Sequence, residues 1–262
     1  MIVLGFDTAT QATTVALRLA DGATGERRDD PPSGERPGHA TRLLEMAREL
    51  LDHEGIGWSQ IDRIAVGVGP GTFTGLRVGV ATARGLAQSL DVQLVGVSSL
   101  AALAEAALCA EAGTDIVTGG GTEKADGAGA LLAVIDARRG EVFAAGYEHG
   151  AGAEPIELFP VRAVAPEGLA ALLLEAGGEP AGEPRRWRAV GDGALRFRGH
   201  LEAAGVEVPP ASSSWHRVSA AAICAAGARA AADSSYQEIV PDYRRRPDAE
   251  LALEGASRAS QR

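Results

Sequence analysis

Lysine is almost missing from this chain. Of its 25 lysine and arginine residues only Lys124 is a lysine, and it stands in a glycine-rich stretch. This excludes a P-loop lysine, a Schiff-base lysine buried in a core and a lysine general base. Cysteine is scarce too. Cys109 and Cys224 are far apart, lack metal-ligand spacing and lie among alanines on predicted helices, so buried, reduced thiols are expected. The five histidines, His39, His53, His149, His200 and His216, form no spaced pair, and there is no His-Glu-x-x-His. No metal site is therefore expected, and a metallopeptidase would lack its ligands. No Gly-x-Ser-x-Gly frame surrounds Ser98-Ser99, which argues against a serine hydrolase. Aromatics make up only 4% of residues, so the core must be aliphatic and alanine-rich. The net charge is −10, and the arginines are scattered apart from Arg185, Arg186, Arg188 and the run Arg244 to Arg246. An autonomous grip on nucleic acid needs a basic patch and is not expected. The tail arginines read as a solvated run, with a nucleic-acid contact as the alternative. No apolar run is long enough for a membrane span, and Asp7 interrupts the first one. A soluble cytoplasmic protein is the expectation.

What the chain does have is a glycine-rich run, Gly67-Val-Gly-Pro-Gly-Thr-Phe-Thr-Gly-Leu-Arg-Val-Gly79. Residues 62–68 read as a buried strand and 72–89 as a helix, so the run is a strand–turn–helix junction. No Lys-Ser/Thr pair follows, so it is not a nucleotide P-loop. Leu76, Val80, Ala83 and Ala87 share one helix face, which should lie on a sheet. Gly75, Val78, Gly79, Thr82, Gly85 and Leu86 form a second face, leaving Arg77, Arg84 and Gln88 as a polar strip. Two apolar stripes predict two buried contacts. Glycine inside a helix costs roughly 1 kcal/mol relative to alanine, so close approach of another helix should offset it. A helix of a second polypeptide is the favoured neighbour, one of the same subunit the alternative. On the first reading, Gly79→Leu abolishes partner binding and leaves the monomer folded.

Coarse periodicity gives a βββαβαβα order for the first part. Strands are expected near residues 2–7 and 14–19, with a weaker polar third strand. An amphipathic helix over 39–53 follows, then strand 62–68, helix 72–89, strand 93–97 and helix 99–112. Residues 113–130 read as a flexible low-complexity insert. A second α/β region opens with strand 131–136, a turn and a returning strand 142–147. Helix 166–176, strand 187–191, helix 194–204 and strand 206–208 complete it. Both regions begin with a strand ending in aspartate before a turn, Phe6-Asp7-Thr8-Ala9-Thr10 and Ile135-Asp136-Ala137-Arg138. This suggests duplicated α/β lobes with a cleft between them. The expected division is a lobe over 1–103 with helix 218–232 packed back on it, a lobe over 104–213, and a polar, frayed tail over 241–262.

Several stretches together resemble the bacterial TsaB (YeaZ) family. They are Phe6 to Thr10, Pro37-Gly38-His39 opening a leucine-rich helix, Gly67 to Gly79, Val97 to Leu100, and Asp136 to Val142. Gly191-Asp192-Gly193 and Pro241-Asp242-Tyr243 fit the second half. Gly69 to Arg77 is highly specific; the 113–130 insert and the arginine-rich tail depart from the pattern. The resemblance implies a two-lobed actin-like/Hsp70-type ATPase fold with mixed sheets. It implies a role in forming threonylcarbamoyladenosine beside the tRNA anticodon, as a non-catalytic, dimerising partner of the paralogue TsaD, joined by TsaE, a small P-loop ATPase. TsaD holds its metal through a His-x-x-x-His pair; the matching positions here are Ser99 and Leu103.

On that reading helices 39–53 and 72–89 pair with their equivalents in TsaD, or with a second copy of the chain as a homodimer, and tRNA is touched only indirectly. The candidate interface residues are His39, Leu43, Met46, Leu50, Gly71, Gly75, Val78, Gly79 and Thr82. Asp7, Thr8 and Asp192 are candidates for a residual nucleotide cleft, with weak ATP or ADP binding; their alternative role is turn or cap hydrogen bonding. Alanine at position 9, where phosphotransferases of this fold carry glycine, restricts approach of a phosphate. The rival functions are an ATP-using small-molecule kinase of the same fold and a degenerate metallopeptidase-like protein.

Overall fold

The computed structural model describes residues 1–32, 34–113, 129–150, 154–176, 185–231 and 235–244. The first lobe contains β1 (Val3–Asp7), β2 (Thr13–Arg18), β3 (Thr24–Asp29), α1 (His39–Glu54), β4 (Arg63–Gly69), α2 (Phe73–Leu90) and β5 (Gln93–Ser98). Helix α3 (Ser99–Glu111) leads out of it. The second comprises β6 (Ala130–Arg138), β7 (Glu141–His149), β8 (Pro155–Val164), α4 (Leu169–Ala176), β9 (Trp187–Val190), α5 (Asp192–Arg196) and α6 (Arg198–Ala203), before α7 (Ala220–Arg229). Most of the insert (114–128) and the tail beyond 244 lie outside the described residues.

The sheets repeat one topology. The first has the order β3-β2-β1-β4-β5 and the second β8-β7-β6-β9. In both, an antiparallel meander is extended by a parallel strand beside its first member, β4 beside β1 and β9 beside β6. These are two mixed-sheet α/β lobes of one repeated topology. Strand β8 was not expected from sequence. Its prolines, Pro155 and Pro160, suit only an edge strand, which is where it lies. The expected strand 206–208 shrinks to a bridge between Arg188 and Glu207, and helix 194–204 is broken at Phe197.

Three cores separate the layers. Leu43, Met46 and Leu50 of α1 and Val80, Ala83 and Ala87 of α2 meet Leu4, Phe6, Val15 and Ile64 on one face of the first sheet. On its other face, α3 and α7 fill the space between the sheets, packing Leu100, Leu103 and Ile223 with Val3, Leu131 and Ile135. Leu169, Leu173 and Leu201 cover the far face of the second sheet. Apart from Glu105, helix α3 is buried through apolar side chains on most of its sides, as suits a helix between two sheets. The alanines of α7 let it sit very close to the first sheet. A Cβ on Gly5 would lie 2.5 Å from Cys224 Sγ. Both cysteines are free and buried; burial raises the Cys109 thiol to about 11 and pushes that of Cys224 higher still.

Candidate functional site

The turn after β1 is where the glycine-rich run is used. Thr72 donates its N–H to the Ala9 carbonyl at 2.7 Å, and Thr8 Oγ1 donates to the Gly75 carbonyl at 2.7 Å. A Cβ on Gly71 would fall 2.3 Å from the Ala9 oxygen, on Gly75 1.9 Å from the Thr8 oxygen, and on Gly79 2.4 Å from Thr8 Oγ1. A Cβ on Gly67 would fall 1.8 Å from Asp7 Oδ2. No side chain fits at these distances. The glycines therefore exist so that the β1–β2 turn can lie on the start of α2.

This corrects the sequence reading. Gly71, Gly75 and Gly79 face their own subunit, so Gly79→Leu would disturb the monomer and cannot test docking. On α1, Leu43, Met46 and Leu50 are 1% exposed or less and belong to the first lobe's core. His39 is buried with Nδ1 2.8 Å from Thr13 Oγ1, and burial lowers its pKa despite the nearby Asp29. None of these seven residues offers a free surface. What the two helices present outward is different. Leu44 on α1 is 44% exposed. On α2, Val78 and Thr82 are half-buried, while Thr74, Ala81 and Gly85 are exposed. A Cβ on Gly85 would meet nothing within 4 Å. Within the described residues, internal packing gives no reason for a glycine there.

The candidate nucleotide cleft is closed at its first strand. Asp7 is 1% exposed; its Oδ1 accepts the Ala9 N–H at 2.7 Å and its Oδ2 accepts the Ser99 hydroxyl at 2.5 Å. Burial raises its pKa against those two bonds. Thr8 is 0% exposed and committed to Gly75. Asp7 and Thr8 are thus both engaged in hydrogen bonds within the chain. Ser99 holds Asp7, and Leu103 lies in the inter-sheet core, so both residues have structural roles. Among the described residues no cluster of three or more His, Cys, Asp or Glu side chains is placed to hold a metal.

Asp136 mirrors Asp7 in the second lobe, its Oδ1 accepting the Arg138 N–H at 2.9 Å. Its Oδ2 takes Arg196 at 2.6 Å. Asp192 accepts the Asp136 N–H at 3.0 Å, and burial raises its pKa. It borders a cavity of about 110 Å³ shared with Thr10, Gln11, Arg28 and His216. Ligand pockets commonly span about 300 Å³ or more, so this cavity is smaller than a typical nucleotide site. Equilibrium dialysis of this chain alone against Mg·ATP is expected to give a Kd weaker than about 1 mM; tight retention would reopen the kinase reading.

Residues 241–244, the described start of the expected polar tail, belong to an ordered element that begins before it. Residues 236–244 form a strap along α2. Tyr236 Oη donates to the Val92 carbonyl at 3.0 Å, Ile239 is 5% exposed in the core, and the Asp242 N–H donates to the Val68 carbonyl at 2.8 Å. Arg84 donates to the carbonyls of Gln237 at 2.9 Å and Ile239 at 2.6 Å. Arg77 Nε donates to Tyr243 Oη at 2.9 Å. The available signal was the set of apolar residues Tyr236, Ile239, Val240 and Tyr243 within a polar stretch.

Comparison with known proteins agrees with this architecture. Residues 32–156 match the family model of TsaD, tRNA N6-adenosine threonylcarbamoyltransferase. The TsaB tRNA threonylcarbamoyladenosine biosynthesis protein of Escherichia coli K12 is 36% identical over 148 residues, 56% of this chain and 55% of that protein. Its Haemophilus influenzae counterpart is 36% identical over 143 residues, 55% of this chain and 52% of that protein. The chain thus spans about half the length of the curated relatives it matches. The solved structure of YeaZ from Pseudomonas aeruginosa superimposes with a TM-score of 0.70 and 28% identity, covering 92% of this chain and 99% of that one. In sequence over about half its length, and in architecture over nearly all of it, the chain is similar to TsaB/YeaZ proteins.

Proposed function

We propose that the chain is a non-catalytic subunit of a complex forming threonylcarbamoyladenosine in tRNA, and that it binds a TsaD-like paralogue through the outward faces of α1 and α2. The observation carrying this is Gly85. It occupies a helix interior at a cost of roughly 1 kcal/mol, and nothing among the described residues of its own chain comes near the missing side chain. Close approach of another helix would make use of that gap. The region matching the TsaD model contains both α1 and α2, so a TsaD-like partner would bring an equivalent pair of helices. Two such pairs can join about an approximate two-fold axis, and without the paralogue two copies of this chain can do so as a homodimer.

Catalysis then belongs to the paralogue. The saturated Asp7 carboxyl and the small interlobe cavity support this over an ATP-using enzyme. A TsaE-like ATPase completes the assembly, tRNA is contacted indirectly, and the complex works in the cytoplasm. Among the described residues no helix is long and apolar enough to cross a membrane.

The test uses variants whose side chains point into open space. Gly85→Leu and Ala81→Arg are expected to leave the urea midpoint within about 1 kcal/mol of the parent, in keeping with surface substitutions. Both should weaken binding to the purified paralogue by about 100-fold or more in calorimetry, the scale of a lost interface centre. Unchanged affinity in both would refute docking on this face.

A further inference from the structure

The outward stripe of α2 carries no charge over three turns: Thr74, Val78, Ala81, Thr82, Gly85. Yet α2 has two arginines on the adjoining flank, each long enough to swing across that stripe. Both are held away from it by the strap. Arg84 is bound to the Gln237 and Ile239 carbonyls. The Arg77 guanidinium lies 3.7 Å from the Phe73 ring centroid while its Nε donates to Tyr243 Oη. The Tyr243 ring stacks at a tilt on Phe73, with centroids 5.2 Å apart. Tyr243 is itself 43% exposed, so burial is not what it gains there. The strap is anchored independently, by Ile239 in the core and by the Asp242 N–H on the Val68 carbonyl.

We propose that Tyr243 is a positioning residue for the partner interface: by fixing Arg77 against Phe73, it keeps a guanidinium off the α2 stripe and leaves that stripe neutral for the helix pair of the TsaD-like paralogue. This rests on the docking face proposed above. A free guanidinium at that edge must be desolvated when a neutral small-residue surface closes over it, which opposes binding. Tyr243 acts through Arg77, and removal of Arg77 cancels the need for Tyr243.

That cancellation is the test. Affinity for the purified paralogue is measured by calorimetry for the full chain, for Tyr243→Ala, for Arg77→Ala and for the double variant, with urea midpoints taken alongside. Tyr243→Ala is expected to bind about fivefold to tenfold more weakly. Arg77→Ala and the double variant should both lie within about twofold of the parent. Unchanged binding by Tyr243→Ala overturns the proposal. So does a double variant as weak as Tyr243→Ala, since the tyrosine would then be a direct contact. Should Tyr243→Ala lose its fold, Tyr243→Phe, which keeps the ring and removes the hydroxyl that accepts from Arg77, decides in its place: weaker binding that Arg77→Ala restores upholds the proposal, and parental affinity overturns it. Gly85→Leu in the same series separates the two ideas: its unimpaired binding removes the docking face itself, whereas its loss with an unaffected Tyr243→Ala removes only the role of the strap.

Discussion

Gly75→Ala destabilises the isolated chain by about 3 kcal/mol, whereas Gly85→Ala, ten residues along the same helix, stabilises it by roughly 1 kcal/mol. The added methyl group is the same, so helix propensity favours both changes equally. The difference is what the methyl meets. At position 75 the new carbon would stand 1.9 Å from the Thr8 carbonyl oxygen, a backbone atom that cannot swing aside. The β1–β2 turn must then lift off α2. That strains the bond from Thr8 Oγ1 to the Gly75 carbonyl and the bond from Thr72 N–H to Ala9. Overpacking costs about 1–3 kcal/mol, and a weakened buried hydrogen bond adds about 1 kcal/mol. At position 85 nothing lies within 4 Å. Urea midpoints at constant m-value measure both. A neutral Gly75→Ala would mean that the turn does not rest on α2 as described. Gly85→Ala tests the docking reading as well, because a gain in monomer stability shows that natural glycine there serves something outside the monomer.

This pair also shows how far the sequence could be read. Periodicity placed α2 and identified its sheet-facing residues Leu76, Val80, Ala83 and Ala87, because burial on a sheet leaves a regular apolar stripe. It could not assign the glycine stripe. A glycine says that something comes close, but not what, and here the visitor was the chain's own turn, 67 residues away in sequence from Gly75. The leucines of α1 were legible as apolar but not as already buried, since a helix-wheel arc does not say how wide the facing sheet is. Asp7 and Asp192 looked alike in sequence, each at a strand–turn junction. The partner of Asp7 is Ser99, 92 residues away, and only the fold brings them together. Strand β8 and the strap were missed for a common reason. Strand β8 lies on a sheet edge and the strap forms no strand at all, so alternation is weak in both, and prolines and charges dilute the pattern. The duplication was legible, because two strand–aspartate–turn openings record the same Asx turn built twice, at Ala9 and at Arg138.

The second large effect is expected at a charge the sequence analysis passed over, inside the layer joining the lobes. Glu105 is the charged residue in the middle of α3, and its side chain is 2% exposed. Arg229 at the end of α7 donates to its Oε2 at 2.7 Å. Among the described residues Glu105 Oε1 has no hydrogen-bond partner. Arg229→Met therefore leaves a buried carboxylate with no countercharge, in a site already faced by Glu154 and Cys109. Breaking such a pair costs about 3 kcal/mol at neutral pH, taken at the low end because the arginine side chain is 39% exposed. The pH dependence has a definite sign. Burial holds the Glu105 pKa above its ordinary value even with Arg229 present, so the folded state keeps this proton to higher pH than the unfolded state does. Its contribution to stability is complete below the unfolded pKa and is lost as pH rises through the folded one. Removing Arg229 takes away the influences that lower that pKa, so the window extends upward. The penalty of Arg229→Met should accordingly be largest near pH 8 and shrink as pH falls and the carboxyl becomes neutral. In the double variant Glu105→Leu with Arg229→Met no charge remains to be buried. Its stability should return to within about 1 kcal/mol of the parent and lose this pH dependence, with a coupling of about 2–3 kcal/mol in the cycle. A pH-independent penalty, or additive single effects, would show that Glu105 reaches water when α7 releases it, and that the pair does not clamp α3 to α7.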